Sequence, residues 1–244
     1  MNIPKRIHVL GIAGNMDALR LAEDEIRRIG REPVRFVNVA SPWDRYCIRQ
    51  LGRRVLSGYM SRVSSFSCTR GHGHIMQASV EAGDESVWVV EDDVRFFKDV
   101  QRVETALHAA PKDADILILD PIYKDFHTED KCFAKAKAAK DGWWEIDRED
   151  VRSTGNYMMS ARAAKAYADI LSHGPDGKPL PACDTVRNHG FFPSDMKIYA
   201  ASPNLSIQRR DDGRGHMQSF DKIYERYAAQ GVCLCDYADW RVSQ

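Results

Sequence analysis

The stretch that decides the fold is VWVVEDDVRFF, Val87–Phe97, in which an apolar run ends at three consecutive carboxylates. A continuous run of β-branched and aromatic residues is typical of a strand buried on both faces of a parallel sheet. Glu91, Asp92 and Asp93 then fall at its carboxyl end, the edge of an open α/β sheet where ligands bind. Adjacent acids repel one another unless a cation or a basic ligand lies between them. Their oxygens suit a hard divalent ion such as Mg²⁺ or Mn²⁺; a solvated acidic turn is the alternative.

Strands and helices alternate before this stretch. Residues 6–12 are predicted to form a first strand, and a helix capped by Asp17 is predicted to run to about Arg28 and to end at Gly30. Residues 34–39 follow as a second strand. This β-α-β opening fits a doubly wound nucleotide-binding sheet, but it lacks the GxGxxG fingerprint of a dinucleotide site.

The same alternation continues after the acids and predicts one α/β domain spanning residues 1–244. The further elements predicted are helices at 67–82, 100–109, 161–171 and 220–229, and strands at 114–119, 156–160 and 197–201. Residues 122–142 break the pattern, and this polar, lysine-rich segment suggests an acceptor-binding or lid segment.

Composition excludes several classes of protein. Lys plus Arg and Asp plus Glu number 35 each, so net charge favours neither nucleic acid nor a membrane as partner. The six cysteines are sparse, and Cys233-x-Cys235 is one residue short of the usual zinc spacing, which favours free thiols. No apolar run resembles a signal peptide or a membrane span. We therefore expect a cytoplasmic protein and leave peripheral membrane contact open.

A helix predicted after Pro42 carries an arginine stripe. Arg45, Arg49 and Arg53 recur at every fourth position, which places three guanidinium groups on one face. Such a face suits either solvent or contact with phosphate or an acidic acceptor.

Four segments, taken in order, resemble the family 25 glycosyltransferases, which include lipooligosaccharide and collagen-type galactosyltransferases. The most specific match is GDESVWVVEDDV at 83–94, which is similar to the family's GD…ILEDDV strand. Residues 67–72 keep the Cys and His, four residues apart, of the family's helix motif. The remaining matches are 154–165, and 181–184 together with 198–203. The family's opening motif is not visible at 11–20, and Gly71 replaces a serine, so the chain resembles a divergent member.

The resemblance implies a nucleotide-diphospho-sugar transferase (GT-A, Rossmann-like) fold with a mostly parallel central sheet flanked by helices. It also implies inverting transfer of a hexose, such as galactose or glucose, from a nucleotide-diphosphate donor, with a UDP-sugar expected. The acceptor hydroxyl would belong to a glycan, as in lipopolysaccharide biosynthesis, or to a hydroxylated protein or nucleobase. The leaving diphosphate develops charge that Mn²⁺ or Mg²⁺ can stabilise.

This chemistry assigns roles to the matched acids. Because a turn is expected to break strand alternation after the apolar run, Asp93 is assigned first and Glu91 second to the metal. Asp92 would bond the donor ribose or sugar. Asp184 is the candidate general base for the acceptor hydroxyl, and it could equally cap a helix starting at Thr185.

Three further residues are weaker candidates. His72 could contact the donor, although a structural role in a packed helix is the alternative. His216 could complete the metal's ligand shell, or be an exposed loop residue. Arg209, next to Arg210, could pair with the diphosphate or remain solvated.

Two other functions stay open. A non-catalytic protein of the same fold could bind a nucleotide sugar or a partner, as the absent opening motif suggests. A metal-dependent phosphodiesterase or nuclease would need carboxylates at other strand ends to hold two ions, and Asp120 is the feature that supports it.

Overall fold

The structure is a computed structural model that describes residues 1–12, 15–38, 59–123, 134, 138–147, 151–152, 154–173 and 193–208. Helices and strands alternate through the first half of these residues. The helices are α1 Met16–Arg28, α2 Tyr59–Ala82, α3 Val100–His108 and α4 Ala161–His173. The strands are β1 Arg6–Ile12, β2 Glu32–Asn38, β3 Ser86–Glu91, β4 Val94–Phe96, β5 Ile116–Ile118, β6 Ile122–Tyr123, β7 Trp143–Glu145, β8 Val151–Arg152, β9 Asn156–Ser160, β10 Ile198–Ala201 and β11 Ser206–Gln208.

Seven of the described strands form one sheet in the order β2-β1-β3-β9-β5-β10-β7. Strands β2, β1, β3, β5 and β10 run in one direction, whereas β9 and β7 run against them. Two short antiparallel pairs, β4–β11 and β6–β8, lie outside this sheet. The predicted α/β fold with a mostly parallel sheet is therefore confirmed.

Strand β3 lies between β1 and β9, and its two faces belong to two apolar layers. Val87 and Val89 pack into the cluster that includes α2 and α4, while Trp88 and Val90 pack into the cluster that includes α1 and α3. All four side chains are buried, because helices cover both faces of the sheet. The expectation of burial on both faces is confirmed. Its two neighbours differ in direction, since β1 pairs with β3 in the parallel sense and β9 in the antiparallel sense.

Helix α1 ends where the sequence predicted but begins at a different residue. Its first residue is Met16, and Asn15 occupies the N-cap position without a side-chain cap bond, so the predicted cap at Asp17 was wrong. Asp17 instead lies in the first turn, where its negative charge interacts favourably with the positive end of the helix dipole. Gly30 ends the helix as predicted, with a φ of 70° that a side chain would disfavour.

The other predicted elements within the described residues agree closely with the structure, except at the start of α2. This helix begins at Tyr59, well before Ser67. Ser67 therefore lies within the helix and does not begin it. The helices predicted after Pro42 and at 220–229 lie outside the described residues. Among the described helices, none is sufficiently long and apolar to cross a membrane.

Candidate active site

The three consecutive carboxylates lie at the turn that joins β3 to β4. Glu91 is the last residue of β3, Asp92 and Asp93 form the turn, and Val94 begins β4. Strand β4 then pairs with β11, so that Val94 lies opposite Gln208. The strand does not persist through the acids, as expected, and the side chains of Asp92 and Asp93 are released from strand alternation.

A fourth carboxylate, that of Asp120, lies close to this turn. It follows β5, is 1% exposed, and its Oδ1 accepts a hydrogen bond of 3.1 Å from the backbone N–H of Asn156. Burial raises the pKa of Asp93 well above its ordinary value, and the negative charges of Glu91, Asp92 and Asp120 raise it further. Carboxylates from two strand ends therefore share one region at the carboxyl edge of the sheet.

Asp93 is the residue that most strongly favours a cation. Its Oδ1 is buried and has no hydrogen-bond partner among the described residues. A buried carboxylate oxygen among other negative charges is unfavourable unless a partner compensates it. A divalent ion would supply both a bond and the opposing charge, and oxygen ligands suit Mg²⁺ or Mn²⁺. The acids thus fit the divalent ion that the sequence resemblance implies.

Glu91 is held by helix α2 and by the residues that lead into β9. Its Oε1 accepts hydrogen bonds from His72 Nε2 at 3.2 Å, Thr154 Oγ1 at 3.2 Å and Cys68 Sγ at 3.6 Å. Burial raises the pKa of Glu91, but the hydrogen bond from His72, the attraction of a protonated His72 and the hydrogen bonds from Thr154 and Cys68 together keep that pKa below its ordinary value. Glu91 is therefore an ionised, firmly placed carboxylate.

Cys68, His72 and Glu91 also form a group that could hold a metal ion, since their ligand atoms lie within 4.8 Å of one another. A thiolate, an imidazole and a carboxylate suit zinc better than the hard ions that Asp93 favours. His72 is fully buried, and its other ring nitrogen, Nδ1, lies 2.8 Å from the hydroxyl of Tyr157.

Two glycines lie next to the acids, and at one of them, Gly155, a side chain would collide with a carboxylate. A Cβ at Gly11, near the end of β1, would come within 3.5 Å of Asp92 Oδ2. A Cβ at Gly155 would lie 2.5 Å from Asp120 Oδ2 and 2.6 Å from Gln208 Nε2, closer than real Cβ atoms approach. Asp92 therefore lies near the end of β1, and Asp120 rests against the backbone that leads into β9.

The structure brings together the predicted site residues that it describes: Glu91, Asp92, Asp93 and His72. His72 has no exposed surface, and its two ring nitrogens face protein groups. The other predicted residues lie outside the described part of the chain, so their roles stay predictions; they are Asp184, Arg209, His216 and the stripe of Arg45, Arg49 and Arg53.

Sequence reasoning missed the partners of Glu91. Thr154 and Tyr157 are distant from the acids along the chain, and no local pattern marks them. Cys68 and His72 are separated by one helical turn, a spacing that the sequence does show. Asp120 was marked as a candidate only by its position directly after a buried strand.

The fold, a mostly parallel sheet flanked by helices, is GT-A-like. A solved structure of this kind, a glycosyltransferase involved in the glycosylation of the major capsid of PBCV-1, is similar over 91% of this chain and 98% of that chain. The two are 11% identical, with a TM-score of 0.50, a likeness that supports the fold alone.

Weaker similarity reaches the inositol-1-phosphate CTP transferase from T. maritima. The similarity covers 93% of this chain and 77% of that chain at 13% identity. Its TM-score of 0.37 is too low to support a shared fold. No family model matches the sequence, and no curated protein matches it. The predicted fold is thus confirmed, while membership of glycosyltransferase family 25 stays a prediction.

Proposed function

We propose that this chain is an inverting, metal-dependent glycosyltransferase. It would move a hexose, such as galactose or glucose, from a nucleotide-diphosphate donor to an acceptor hydroxyl. The observation that carries the proposal is Asp93, whose buried, unpartnered Oδ1 lies among other carboxylates at the ligand-binding edge of a GT-A-like sheet. This arrangement supports a site for a cation and for the phosphates that the cation would hold.

The described acids have different roles in this proposal. Asp93 would bind Mn²⁺ or Mg²⁺ directly, and Glu91 would use Oε2, because the three bonds from its protein partners all reach Oε1. The ion, when bound, supplies charge that stabilises the leaving diphosphate. Asp92, at the turn near the end of β1, would bond the donor ribose or sugar.

The remaining roles rest on the sequence resemblance. Asp184 would take the proton from the acceptor hydroxyl, because transfer with inversion in one step needs a general base within hydrogen-bond reach. Arg209 would pair with the diphosphate, and His216 would complete the ligand shell of the ion. The resemblance favours a UDP-sugar as donor and a glycan as acceptor, with a hydroxylated protein or nucleobase as the alternatives. It also favours an enzyme of lipopolysaccharide biosynthesis. The cytoplasmic location expected from the sequence belongs to the same proposal, with peripheral membrane contact left open.

Asp120 favours a second candidate function, a metal-dependent phosphodiesterase or nuclease. Its charge acts on Asp93 from another strand end, and two-ion phosphoryl chemistry uses carboxylates that come from several strand ends. The two candidates differ in product, because only the glycosyltransferase moves the sugar without cleaving a phosphodiester of a nucleic acid.

Thermal unfolding with UDP-, GDP- and CMP-sugars, each with and without Mn²⁺, tests the proposal. We expect one nucleotide class to raise stability in the presence of metal, by about 2.7 kcal/mol at a hundredfold excess over Kd. Asp93→Asn should abolish the metal-dependent part of that increase. Without metal the variant should be at least as stable as the wild type, because it removes one charge from a crowded, buried set of acids.

Asp24→Asn is the matched control, since this exposed acid pairs with Arg27 on α1 and should leave the metal response intact. If no donor produces a metal-dependent increase, the proposal is wrong. Donor binding without any sugar transfer would favour a non-catalytic protein of the same fold. Phosphodiester cleavage without sugar transfer would favour the second candidate.

A further inference from the structure

We infer that Tyr157 and His72 form a positioning relay for Glu91. In this relay the hydroxyl of Tyr157 fixes the tautomer of His72, and His72 in turn holds Oε1 of Glu91, so that Oε2 is presented to the metal. The inference rests on the proposed function for the role of Glu91. The relay itself is a property of three side chains that the structure describes, and it can be tested separately.

The relay follows from the order of donors and acceptors. Tyr157 OH lies 2.8 Å from His72 Nδ1, and His72 Nε2 lies 3.2 Å from Glu91 Oε1. A carboxylate that binds a metal only accepts hydrogen bonds, so Nε2 carries a proton, and in a neutral imidazole Nδ1 then carries none. Nδ1 is then an acceptor, and the hydroxyl of Tyr157 is its donor. For a neutral imidazole, this one proton arrangement satisfies both contacts.

Burial makes this arrangement specific. His72 is 0% exposed and Tyr157 is 1% exposed, so water does not compete for either ring nitrogen. The two rings pack with their centroids 5.5 Å apart, which keeps the imidazole from turning freely. An imidazole placed in the other tautomer would face Glu91 with a bare nitrogen, acceptor against acceptor, and such a buried contact is unfavourable.

The backbone of Glu91 is fixed as well as its side chain. Its N–H donates to the carbonyl of Gly155 at 2.8 Å, and the hydroxyl of Thr154 donates to the same Oε1 that His72 holds. With the peptide and one carboxylate oxygen both held, the direction of Oε2 is set by protein contacts before any ligand arrives. Such support of a metal ligand by its neighbours commonly changes metal affinity by about 10–100-fold.

The rival interpretation places a zinc ion on Cys68, His72 and Glu91, and it demands the opposite tautomer. A metal ligand needs an unprotonated Nε2, which would put the proton on Nδ1 and make Tyr157 the acceptor. The convergence of Thr154 and His72 on one carboxylate oxygen, both at 3.2 Å, favours the relay, because these are hydrogen-bond distances to a shared acceptor.

NMR of protein labelled with ¹⁵N in the histidine rings tests the relay directly. For the wild type without metal we expect a neutral His72 with its proton on Nε2. Tyr157→Phe keeps the ring and removes only the hydroxyl, so it should disturb this tautomer and weaken Mn²⁺ binding, measured by electron paramagnetic resonance with UDP present, by about tenfold. Tyr167→Phe is the control: this buried tyrosine donates to the carbonyl of Thr69, and its loss should change neither quantity.

A second pair of variants tests whether the role is positioning rather than packing. His72→Gln keeps an N–H that can reach the carboxylate, whereas His72→Leu does not, so the Gln variant should retain more Mn²⁺ affinity. Equal affinities for the two would overturn the relay.

The relay would also be overturned by a proton on His72 Nδ1, by equal effects of the two tyrosine variants, or by zinc binding that Cys68→Ser removes. Failure of the wild type to bind Mn²⁺ with any nucleotide would instead count against the proposed function. The ring tautomer, measured without metal, would still support or overturn the relay in that case.

Discussion

Asn156 should be one of the most destabilising residues to remove, because it joins side chains from three strands in the interior. Its Oδ1 accepts a hydrogen bond of 2.7 Å from Trp88 Nε1, and its Nδ2 donates one of 2.7 Å to Ser206 Oγ. Asn156→Ala leaves both partners buried without their bonds, since neither Trp88 nor Ser206 has measurable exposure. Each orphaned group costs about 1–3 kcal/mol, so we expect a loss of about 4 kcal/mol in the free energy of unfolding.

Chemical denaturation of a double-mutant cycle measures the bond itself. Trp88→Phe removes the same hydrogen bond from its other end, so the double variant should be less destabilised than the sum of the singles by about 1–2 kcal/mol. Trp143→Phe is the control, because its indole N–H donates to the carbonyl of Ala106 instead, and it should combine additively with Asn156→Ala. A loss below about 1 kcal/mol for Asn156→Ala, or equal coupling in both cycles, would refute this reasoning.

Two more predictions concern a glycine and an ion pair. Gly155→Ala should cost about 1–3 kcal/mol and weaken the Mn²⁺ response, because the new Cβ must displace Asp120; unchanged denaturation and metal titration curves would contradict this. Glu23 is nearly buried, and its pKa is lowered chiefly by the hydrogen bond from Arg35. Its stabilisation is therefore present above the unfolded-state pKa of about 4.5 and is lost as the pH falls through the lower folded-state pKa. Glu23→Gln should accordingly be less stable than the wild type at neutral pH, and the difference in unfolding free energy should disappear in acid.

The central strand could be predicted because burial on both faces demands an apolar residue at every position from 87 to 90. The same reasoning identified β9 at 156–160 as a strand but could not give its direction, since an apolar run looks alike in parallel and antiparallel neighbours. The insertion of β9 between β3 and β5 depends on pairing between residues that are distant in sequence.

The residues of the candidate site could likewise be predicted only in part. The acids at Glu91–Asp93 are adjacent in the chain, and their position after a buried strand was enough to mark them. Tyr157 reaches His72 only because β9 pairs with β3 in a register that sets Tyr157 opposite Val89, and no local pattern encodes that register. Asp120 was visible as an acid after a strand, but its effect on Asp93 required the sheet order.

The place of β3 between β1 and β9 has a consequence for how the chain is made. Val89 pairs with His8 on one side and with Tyr157 on the other, and synthesis supplies the first partner long before the second. Until β9 has left the ribosome, one edge of a strand that is apolar from Val87 to Val90 presents unpaired peptide groups, which are a template for association with other chains. A shortened chain that stops before Asn156 would keep that edge open permanently. We expect such a fragment to aggregate, and we expect the nascent chain to need either prompt completion or a chaperone that covers the strand.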